Sequence, residues 1–220
     1  MKPLHGVLAL VALAGGLAAF FAASAYFRHG DHADGHSHAA DALKQTSIAI
    51  EGGEPLEVPP LINAEGAAFG TQQLRGRWSV VFFGYTSCPD VCPLTLQVLS
   101  EVARDPASGV AAATTQLVFV SVDPERDTRE RLKAYVEHFD RRIQGLTGSR
   151  EAVERFAAAL GASSQRSGSA IDHSTSLYVV DPHGRLAAIL LRPSDPALIV
   201  ADLNSLRPQL AAKAHVSHAH

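Results

Sequence analysis

The chain has 220 residues, of which 46% are apolar, and a formal net charge of −3 at pH 7. This length and apolar content suffice for one domain with its own core plus additional segments. The 19 lysines and arginines are not clustered, which argues against a nucleic-acid partner. Met1 is the single methionine, so a site for a soft metal ion must use cysteine or histidine.

The N-terminal segment 7–27 contains no charged residue. Its length matches the roughly 20 residues that cross the hydrocarbon core of a bilayer as a helix. Because Lys2 precedes it, we predict a cytoplasmic N-terminus at 1–6, a transmembrane anchor at 7–27 and an exported remainder. A cleaved signal peptide is the main alternative, since Ala23-Ser24-Ala25 resembles a cleavage site. A buried helix of a soluble domain is the third interpretation.

The segment 28–54 is polar and rich in glycine, alanine, histidine and aspartate, a composition typical of a flexible linker. Four of its histidines are candidates for loose auxiliary copper or zinc binding: His29, His32, His36 and His38. A solvated linker with no metal role explains the same composition. The segment 209–220 also contains histidines, and we predict that it is a disordered tail.

The segment 55–208 shows the alternation of apolar strands and amphipathic helices that indicates an α/β domain. We predict strands at 78–84, 116–122, 176–180 and 186–191, and helices that begin near Pro93, Thr128, Ser149 and Asp195. Two parallel strands joined by a helix, then an antiparallel hairpin and a closing helix, indicate a thioredoxin-like fold. The prediction is therefore a mixed central sheet flanked by helices and preceded by one transmembrane helix.

Within this domain, Leu94, Val98 and Val102 are predicted to line one face of the first helix. Asp181-Pro182-His183-Gly184 is predicted to be the turn of the hairpin. The Ser/Gly-rich segment 163–170 is predicted to be a loop.

The only two cysteines, Cys88 and Cys92, lie four positions apart between a predicted buried strand and a predicted helix. This spacing allows both sulfurs to point the same way. Because helix N-termini stabilise anions, we expect both thiols to be more acidic than free cysteine. Thiolates are soft ligands and prefer Cu(I) to hard ions such as magnesium or calcium.

A neutral imidazole is the natural third ligand beside two thiolates, and His173 is the best candidate. It directly precedes a predicted strand at the mouth of the sheet, after a loop that can bring the ring towards the sulfurs. By contrast, His138 lies on a predicted helix and His183 lies in the hairpin turn. A purely structural role for His173 is the alternative.

Three other interpretations of the cysteine pair remain open from the residues alone. A structural disulfide would close a loop of only a few residues and contribute roughly 2 kcal/mol. Thiol–disulfide exchange is a second, although redox pairs usually have two intervening residues and this pair has three. Peroxide reduction at Cys88 with Thr86 as a hydrogen-bond donor is a third, but the sequence identifies no activating arginine.

Three motifs resemble the Sco/SenC family of copper-assembly proteins over about residues 61–207. They are Phe-Gly-Tyr-Thr-Ser-Cys-Pro-Asp-Val-Cys-Pro at 83–93, Ser-Val-Asp-Pro-Glu-Arg-Asp-Thr at 121–128 and Asp-His-Ser at 172–174. The resemblance implies a thioredoxin-like fold that binds one copper ion, as Cu(I), Cu(II) or both, through Cys88, Cys92 and His173. It also implies delivery of copper to, or reduction of, the dinuclear copper centre of cytochrome c oxidase.

The resemblance further places Asp123 near the metal, and we predict Asp90 and Asp172 as additional neighbours of the ligands. The resulting prediction is a membrane-tethered metallochaperone rather than an enzyme, in a bacterial inner membrane with its domain facing the periplasm. Its expected partners are a copper-accepting oxidase subunit and a thiol reductant or copper donor. The alternatives are a thiol–disulfide oxidoreductase, whose thiols Cys88 and Cys92 form a redox-active disulfide, and a copper or redox sensor.

Overall fold

The structure is a computed structural model. It describes residues 47–50, 53–110, 112–167 and 170–216, with backbone only for 164–167, 170–173 and 208–216. The predicted anchor at 7–27 and the four histidines of the linker lie outside these ranges. Among the described helices, none combines the length and apolar character needed to cross a bilayer.

Eight of the strands in the described ranges form one mixed sheet, in the order β1-β10-β9-β4-β5-β6-β2-β3, and β7 pairs with β8 in a separate hairpin. The strands are β1 (Ser47–Ala49), β2 (Leu61–Asn63), β3 (Ala68–Phe69), β4 (Trp78–Gly84), β5 (Thr115–Ser121), β6 (Ile143–Gly148), β7 (Ser164–Ser167), β8 (Ala170–His173), β9 (Leu177–Val180) and β10 (Leu186–Leu190). Strands β4, β5 and β6 are parallel, and β9 and β10 add an antiparallel hairpin.

The helices in chain order are α1 (Val91–Arg104), α2 (Arg129–Phe139), α3 (Arg150–Ala159) and α4 (Pro196–Val216). Short 3₁₀ turns span Thr71–Leu74 and Pro106–Ser108. Helix α1 connects β4 to β5, and α2 connects β5 to β6. This arrangement, with the hairpin β9–β10 and the closing helix α4, confirms the predicted thioredoxin-like mixture of parallel and antiparallel pairing.

Strands β4 and β5 form the centre of the sheet, and every residue of both is buried. Phe82 pairs in register with Phe119, whose ring contacts Tyr135 of α2 at a centroid distance of 5.8 Å. The next residue, Phe83, contacts Phe156 of α3 at 5.8 Å. Because successive side chains of a strand point to opposite faces, α2 and α3 cover opposite faces of the sheet. The carboxyl ends of β4 and β5, where the cysteine and Asp-Pro motifs follow, meet at one edge.

Strand β6 was not predicted, because its sequence lacks a continuous apolar run. Gly145 and Gly148 interrupt it, yet Gly145 has a packing reason. A Cβ at Gly145 would lie 2.8 Å from Cγ of Leu132 in α2. The glycine therefore lets α2 pack closely on the third parallel strand.

The structure also differs from the prediction at both ends of the domain and in the Ser/Gly-rich loop. Strand β1 lies inside the range predicted as linker, where Ser47 pairs with Leu190 at the sheet edge. Helix α4 continues to Val216, where we predicted a disordered tail from 209, and the alanines of 211–214 favour that extension. Strands β7 and β8 occupy most of the predicted loop 163–170 and its C-terminal flank.

Local signals for helix ends and turns are confirmed. The side chain of Thr128 accepts a hydrogen bond from the N–H of Arg131 and caps α2, and Ser149 caps α3 in the same way. In the hairpin turn, the N–H of Gly184 donates to the carbonyl of Asp181 at 2.9 Å. Gly184 has a φ of +81°, which glycine adopts without steric cost.

Replacing Asp202 by asparagine is expected to stabilise the protein at neutral pH. Asp202 lies on α4, is 7% exposed, and its carboxylate has no ion pair among the described residues. Burial raises the pKa of Asp202 above its ordinary value. An acid whose pKa is raised by folding destabilises the folded state once the pH rises through its folded-state pKa, because the buried group then carries a charge. At pH 7 the variant should melt roughly 2–4 °C higher, as expected for about 1 kcal/mol.

The gain should shrink as pH falls through the raised pKa of Asp202, because the parent carboxylate then becomes protonated. Asp195→Asn is the matched control, since Asp195 accepts a hydrogen bond from the N–H of Ala197 at 2.8 Å at the start of the same helix. Replacing Asp195 weakens this hydrogen bond and should not raise the melting temperature. An Asp202→Asn variant no more stable than the parent at pH 7 would contradict the prediction.

Candidate metal centre

The two cysteines meet across the first turn of α1. The helix begins at Val91, so Cys92 is its second residue and Pro93 lies inside the first turn, whereas we predicted a start near Pro93. The N–H of Cys92 donates to Sγ of Cys88 at 3.4 Å. The N-cap residue, Asp90, makes no side-chain capping bond. The sulfur of Cys88 instead accepts a hydrogen bond from one of the N–H groups that have no partner within the helix at its start.

The two thiols differ in burial. Neither forms a disulfide, but Cys92 is 0% exposed whereas Cys88 is half-buried. Burial raises the pKa of the Cys92 thiol, its hydrogen bond with Cys88 raises it further, and the backbone of Tyr85 opposes this. The expectation that both thiols are more acidic than free cysteine is therefore wrong for Cys92, because loss of hydration outweighs the helix N-terminus.

Gly84, the last residue of β4, makes room for the buried sulfur. A Cβ at this position would lie 2.7 Å from Cε2 of Phe119 and 2.8 Å from Sγ of Cys92. Both neighbours are fully buried and neither is the end of a flexible side chain. The glycine therefore fixes how closely α1 can bring Cys92 to the sheet.

A buried carboxylate, Asp127, holds the turn that carries Cys88. Asp127 is 1% exposed and accepts hydrogen bonds from the N–H of Thr86 at 2.9 Å, from its hydroxyl at 2.5 Å, and from the hydroxyl of Ser121 at 2.6 Å. These bonds join the ends of β4 and β5 around one group. The prediction missed Asp127 as a site residue, although it lies in the motif 121–128.

The predicted neighbours of the ligands have different surroundings. The carboxylate of Asp123 is buried against Arg126, and its N–H donates to the hydroxyl of Ser121 at 3.1 Å. Asp123 is therefore linked to the cysteine turn through Ser121 and Asp127. Asp90 is exposed, and the side chain of Asp172 lies outside the described residues. An unpredicted contact is that of Arg131, whose guanidinium donates to the hydroxyl of Ser87 at 2.8 Å.

His173 is the last residue of β8, where its backbone pairs with Ser164. Its side chain is outside the described part of the structure, which contains no group of three or more histidine, cysteine or acidic side chains that could hold a metal ion. The following residue, Ser174, accepts a hydrogen bond from the hydroxyl of Tyr178 at 2.7 Å. As predicted, His138 is exposed on α2 and His183 lies in the β9–β10 turn.

The exposed face of α1 borders the cysteines. Leu94, Val98 and Val102 line one face of the helix as predicted, but Leu94 is 59% exposed, Val98 is half-buried and Val102 alone of the three is fully buried. The buried face instead includes Cys92, Leu96 and Leu99. Helical spacing fits either set, because the sequence alone does not say which side of the helix meets the sheet.

The sequence model of the SCO1/SenC family matches residues 60–207. The chain belongs to the SCO1/SenC family. The mitochondrial SCO2 homologue of Homo sapiens is 35% identical over 130 residues, which cover 56% of this chain and 49% of the human protein. The chain therefore matches about half the length of this SCO1/SenC relative.

Two solved structures of SCO1/SenC relatives have the same fold and were determined with copper bound. Arabidopsis thaliana ScoI is 30% identical, with a TM-score of 0.61, and the match covers 71% of this chain and 98% of ScoI. Bradyrhizobium japonicum ScoI is 33% identical, with a TM-score of 0.60, and the match covers 70% of this chain and 98% of that protein.

Proposed function

We propose that this protein is a copper metallochaperone that carries one copper ion on Cys88, Cys92 and His173. It delivers the ion to the dinuclear copper centre of cytochrome c oxidase or helps to reduce that centre. The observation that carries the proposal is the meeting of two cysteines without a disulfide at the start of α1, in a fold whose solved relatives include ScoI proteins with copper bound.

The donor set fits this cargo. Two adjacent sulfurs are suited to a soft ion, and the chain has no thioether to compete with them after Met1. The half-buried sulfur of Cys88 gives an incoming ion access, while the buried sulfur of Cys92 provides a fixed second ligand. Neutral His173 completes the set from β8. Oxidation of the two thiols to a disulfide removes both sulfur ligands, so loading requires a reductant in an oxidising compartment.

The proposal includes a location. A transmembrane anchor at 7–27 tethers the domain to the bacterial inner membrane and leaves it in the periplasm. Tethering raises the effective concentration of the carrier near a membrane-bound oxidase subunit without any additional contact. The histidines of the linker 28–54 are an auxiliary copper store in this scheme.

A thiol–disulfide oxidoreductase that keeps the cysteines of an acceptor reduced is the second candidate function. It is favoured by one observation, the contact between the N–H of Cys92 and Sγ of Cys88, which keeps a resolving thiol beside an accessible one. A copper or redox sensor would use the same pair. His173 separates these functions, because copper carriage requires its imidazole and dithiol exchange does not.

The test is copper binding and X-ray absorption of the reduced full-length chain. We expect one copper per domain with two sulfur ligands and one nitrogen ligand. Cys88→Ser, Cys92→Ser and His173→Ala should each weaken binding by more than the roughly 10- to 100-fold that loss of an outer hydrogen-bond partner costs. His173→Ala should keep its capacity for thiol–disulfide exchange.

Two controls make the result specific. His138→Ala removes an exposed histidine of α2 and should leave copper binding unchanged. A variant with alanine at 29, 32, 36 and 38 should keep the tightly bound copper and lose only weakly bound ions. If His173→Ala binds copper as tightly as the parent, the ligand assignment is wrong; if both serine variants do, the carrier function itself is wrong.

A further inference from the structure

A groove runs along the exposed face of α1, beside the cysteine turn. Its volume is about 560 Å³, and its lining includes Asp90 and Val91, which lie between the two cysteines in the sequence. Helix α1 contributes apolar side chains to it, of which Leu94 is 59% exposed and Val98 is half-buried. Largely apolar grooves of this volume are typical of binding sites. The groove therefore begins beside the cysteine turn and follows one face of the helix.

Two further segments that line the groove lie at the same edge of the sheet. Thr175 precedes β9, and residues 192–194 follow β10. Leu177, the first residue of β9, pairs with Phe82 near the end of β4 and with Leu190 at the end of β10. Both segments are therefore placed where β4 ends and the cysteine turn begins.

Arg192 supplies a positive charge to the groove, and its backbone conformation is unfavourable. Its φ of +50° lies in the left-handed region, which glycine alone adopts without steric cost. Its side chain is exposed and forms no hydrogen bond or ion pair with the described residues. Strain of this kind is found at positions that clamp a ligand. An unpaired guanidinium beside an apolar groove is suited to a carboxylate of a bound molecule.

The shape of the groove and its main-chain groups favour an extended segment. Neither the N–H nor the carbonyl of Thr175 forms a hydrogen bond within the described part of the chain. Such groups pair with the main chain of an extended peptide, as in strand addition. Along α1 the lining extends from Asp90 to Glu101, or about 16 Å at 1.5 Å per residue. About five residues of extended chain cover this length.

We propose that this groove binds an extended, cysteine-bearing segment of a partner protein, with apolar side chains against Leu94 and Val98 and a carboxylate paired with Arg192. The segment places its cysteine at Cys88, the accessible sulfur of the pair. The carboxylates of α1 repel a second acidic side chain and so orient the segment. The inference deepens the proposed function and rests on it, because the bound protein is one that exchanges a thiol or a metal ion with the pair.

The test measures how fast the reduced, metal-free full-length chain reacts with blocked peptides Gly-X-Leu-Cys-Leu-Z-Gly. Each peptide carries thionitrobenzoate on its cysteine as a mixed disulfide. The thiolate of Cys88 attacks the peptide sulfur, the bond to thionitrobenzoate breaks, and a disulfide between Cys88 and the peptide forms while coloured thionitrobenzoate leaves with the electron pair. The mixed disulfide of 2-mercaptoethanol and thionitrobenzoate is the reference reagent. The ratio of the peptide rate to the reference rate cancels differences in the reactivity of Cys88 itself.

Three peptides place aspartate at X only, aspartate at Z only, or asparagine at both positions, so either chain direction is tested. Leu94→Ser should lower the rate ratio about tenfold for all three, because it removes an apolar contact. Arg192→Gln should lower the ratio two- to fivefold for one aspartate peptide, as expected for an exposed ion pair. It should leave the asparagine peptide unchanged, which isolates the pairing between the guanidinium and the carboxylate.

Ile62→Ser and Arg141→Gln are the matched controls. Ile62 is 38% exposed on β2, which β5 and β6 separate from β4. Arg141 is exposed just before β6, at the opposite edge of the sheet from the cysteines, because β6 runs parallel to β5 and β4. Both variants should keep the parental ratio with every peptide.

A parental ratio in Leu94→Ser overturns the inference, and so does an Arg192→Gln variant to which neither aspartate peptide responds. A parent that is dimeric and that Leu94→Ser converts to a monomer also overturns it, because a second copy of the chain then covers the groove. The rate with the reference reagent shows that Cys88 of each variant remains reactive. No step involves copper, so failure of this test leaves the carrier function standing.

Discussion

Replacing Gly84 by alanine is expected to weaken copper binding more than tenfold and to lower the stability of the fold. The added methyl group would meet Sγ of Cys92 and the edge of Phe119 at less than 3 Å, and both are fully buried. Overpacking of this kind typically costs about 1–3 kcal/mol. Relieving the clash requires the Phe119 ring to shift and α1 to move away from β4, and movement of α1 carries the Cys92 sulfur away from its place beside Cys88. Copper affinity of the reduced chain and thermal unfolding measure the two effects.

Gly70→Ala is the control for this substitution. Gly70 has an extended backbone, and the nearest atom to its added Cβ would be Oε1 of Gln73 at 3.8 Å. The variant should match the parent in both measurements. Parental stability and copper affinity in Gly84→Ala would show that α1 can move without loss, and that the contact between glycine and sulfur does not set the position of Cys92.

Replacing Asp127 by alanine is expected to be the most destabilising of the substitutions considered. It leaves the N–H of Thr86 and the hydroxyl of Ser121 without their acceptor, and an unsatisfied buried group costs about 1–3 kcal/mol. We expect a loss of about 3 kcal/mol or more in urea unfolding. Because Thr86 lies two residues before Cys88, the released turn should also lower copper affinity in whatever fraction remains folded.

Asp127→Asn sharpens this test. The amide keeps one acceptor oxygen but places an N–H₂ group among three donors, so it should lose stability nearly as alanine does. Glu125→Gln is the local control, since Glu125 is 65% exposed and its pairing with Arg150 is a surface interaction worth at most about 1 kcal/mol. If Asp127→Asn is as stable as Glu125→Gln, the carboxylate does not anchor the cysteine turn.

Features that depend on residues close to one another in the sequence were predictable. The uninterrupted apolar run of β4 predicted its bounds, and Thr128 and Ser149 were identified as caps because a cap bonds to residues three positions away. Strand β6 was missed because its two glycines interrupt the apolar pattern, although Gly145 is the residue that lets α2 pack closely on the strand. The apolar spacing of α1 did not show which of its faces is buried, because spacing gives a period but not a direction.

The polar network of the site was predictable only in part. The two cysteines share a turn, so their meeting follows from local spacing. Asp127 acts on Thr86, which is 41 residues earlier, and no local pattern indicates that bond. The same holds for the hydroxyl of Tyr135, which has no hydrogen-bond partner among the described residues and is recognised as unpaired only when all neighbours of the buried oxygen are known. Motif 121–128 contains Asp127, whose carboxylate accepts hydrogen bonds from Thr86 in the turn of Cys88.

Because the two sulfurs are unequally buried, a partner from solvent can approach the cysteine pair from one side only. A partner's thiol that approaches from solvent reaches the sulfur of Cys88, because the sulfur of Cys92 is enclosed by α1 and the sheet. In the thiol–disulfide exchange proposed above as the second candidate function, a partner's thiolate would attack Sγ of Cys88 in the oxidised pair, break the bond between Cys88 and Cys92 and release Cys92 as a thiolate. Attack of Cys92 on Cys88 would then break the mixed disulfide and release the partner's thiolate. Because approaching and departing thiols both contact the sulfur of Cys88, only one partner can bind at the cysteine pair at a time.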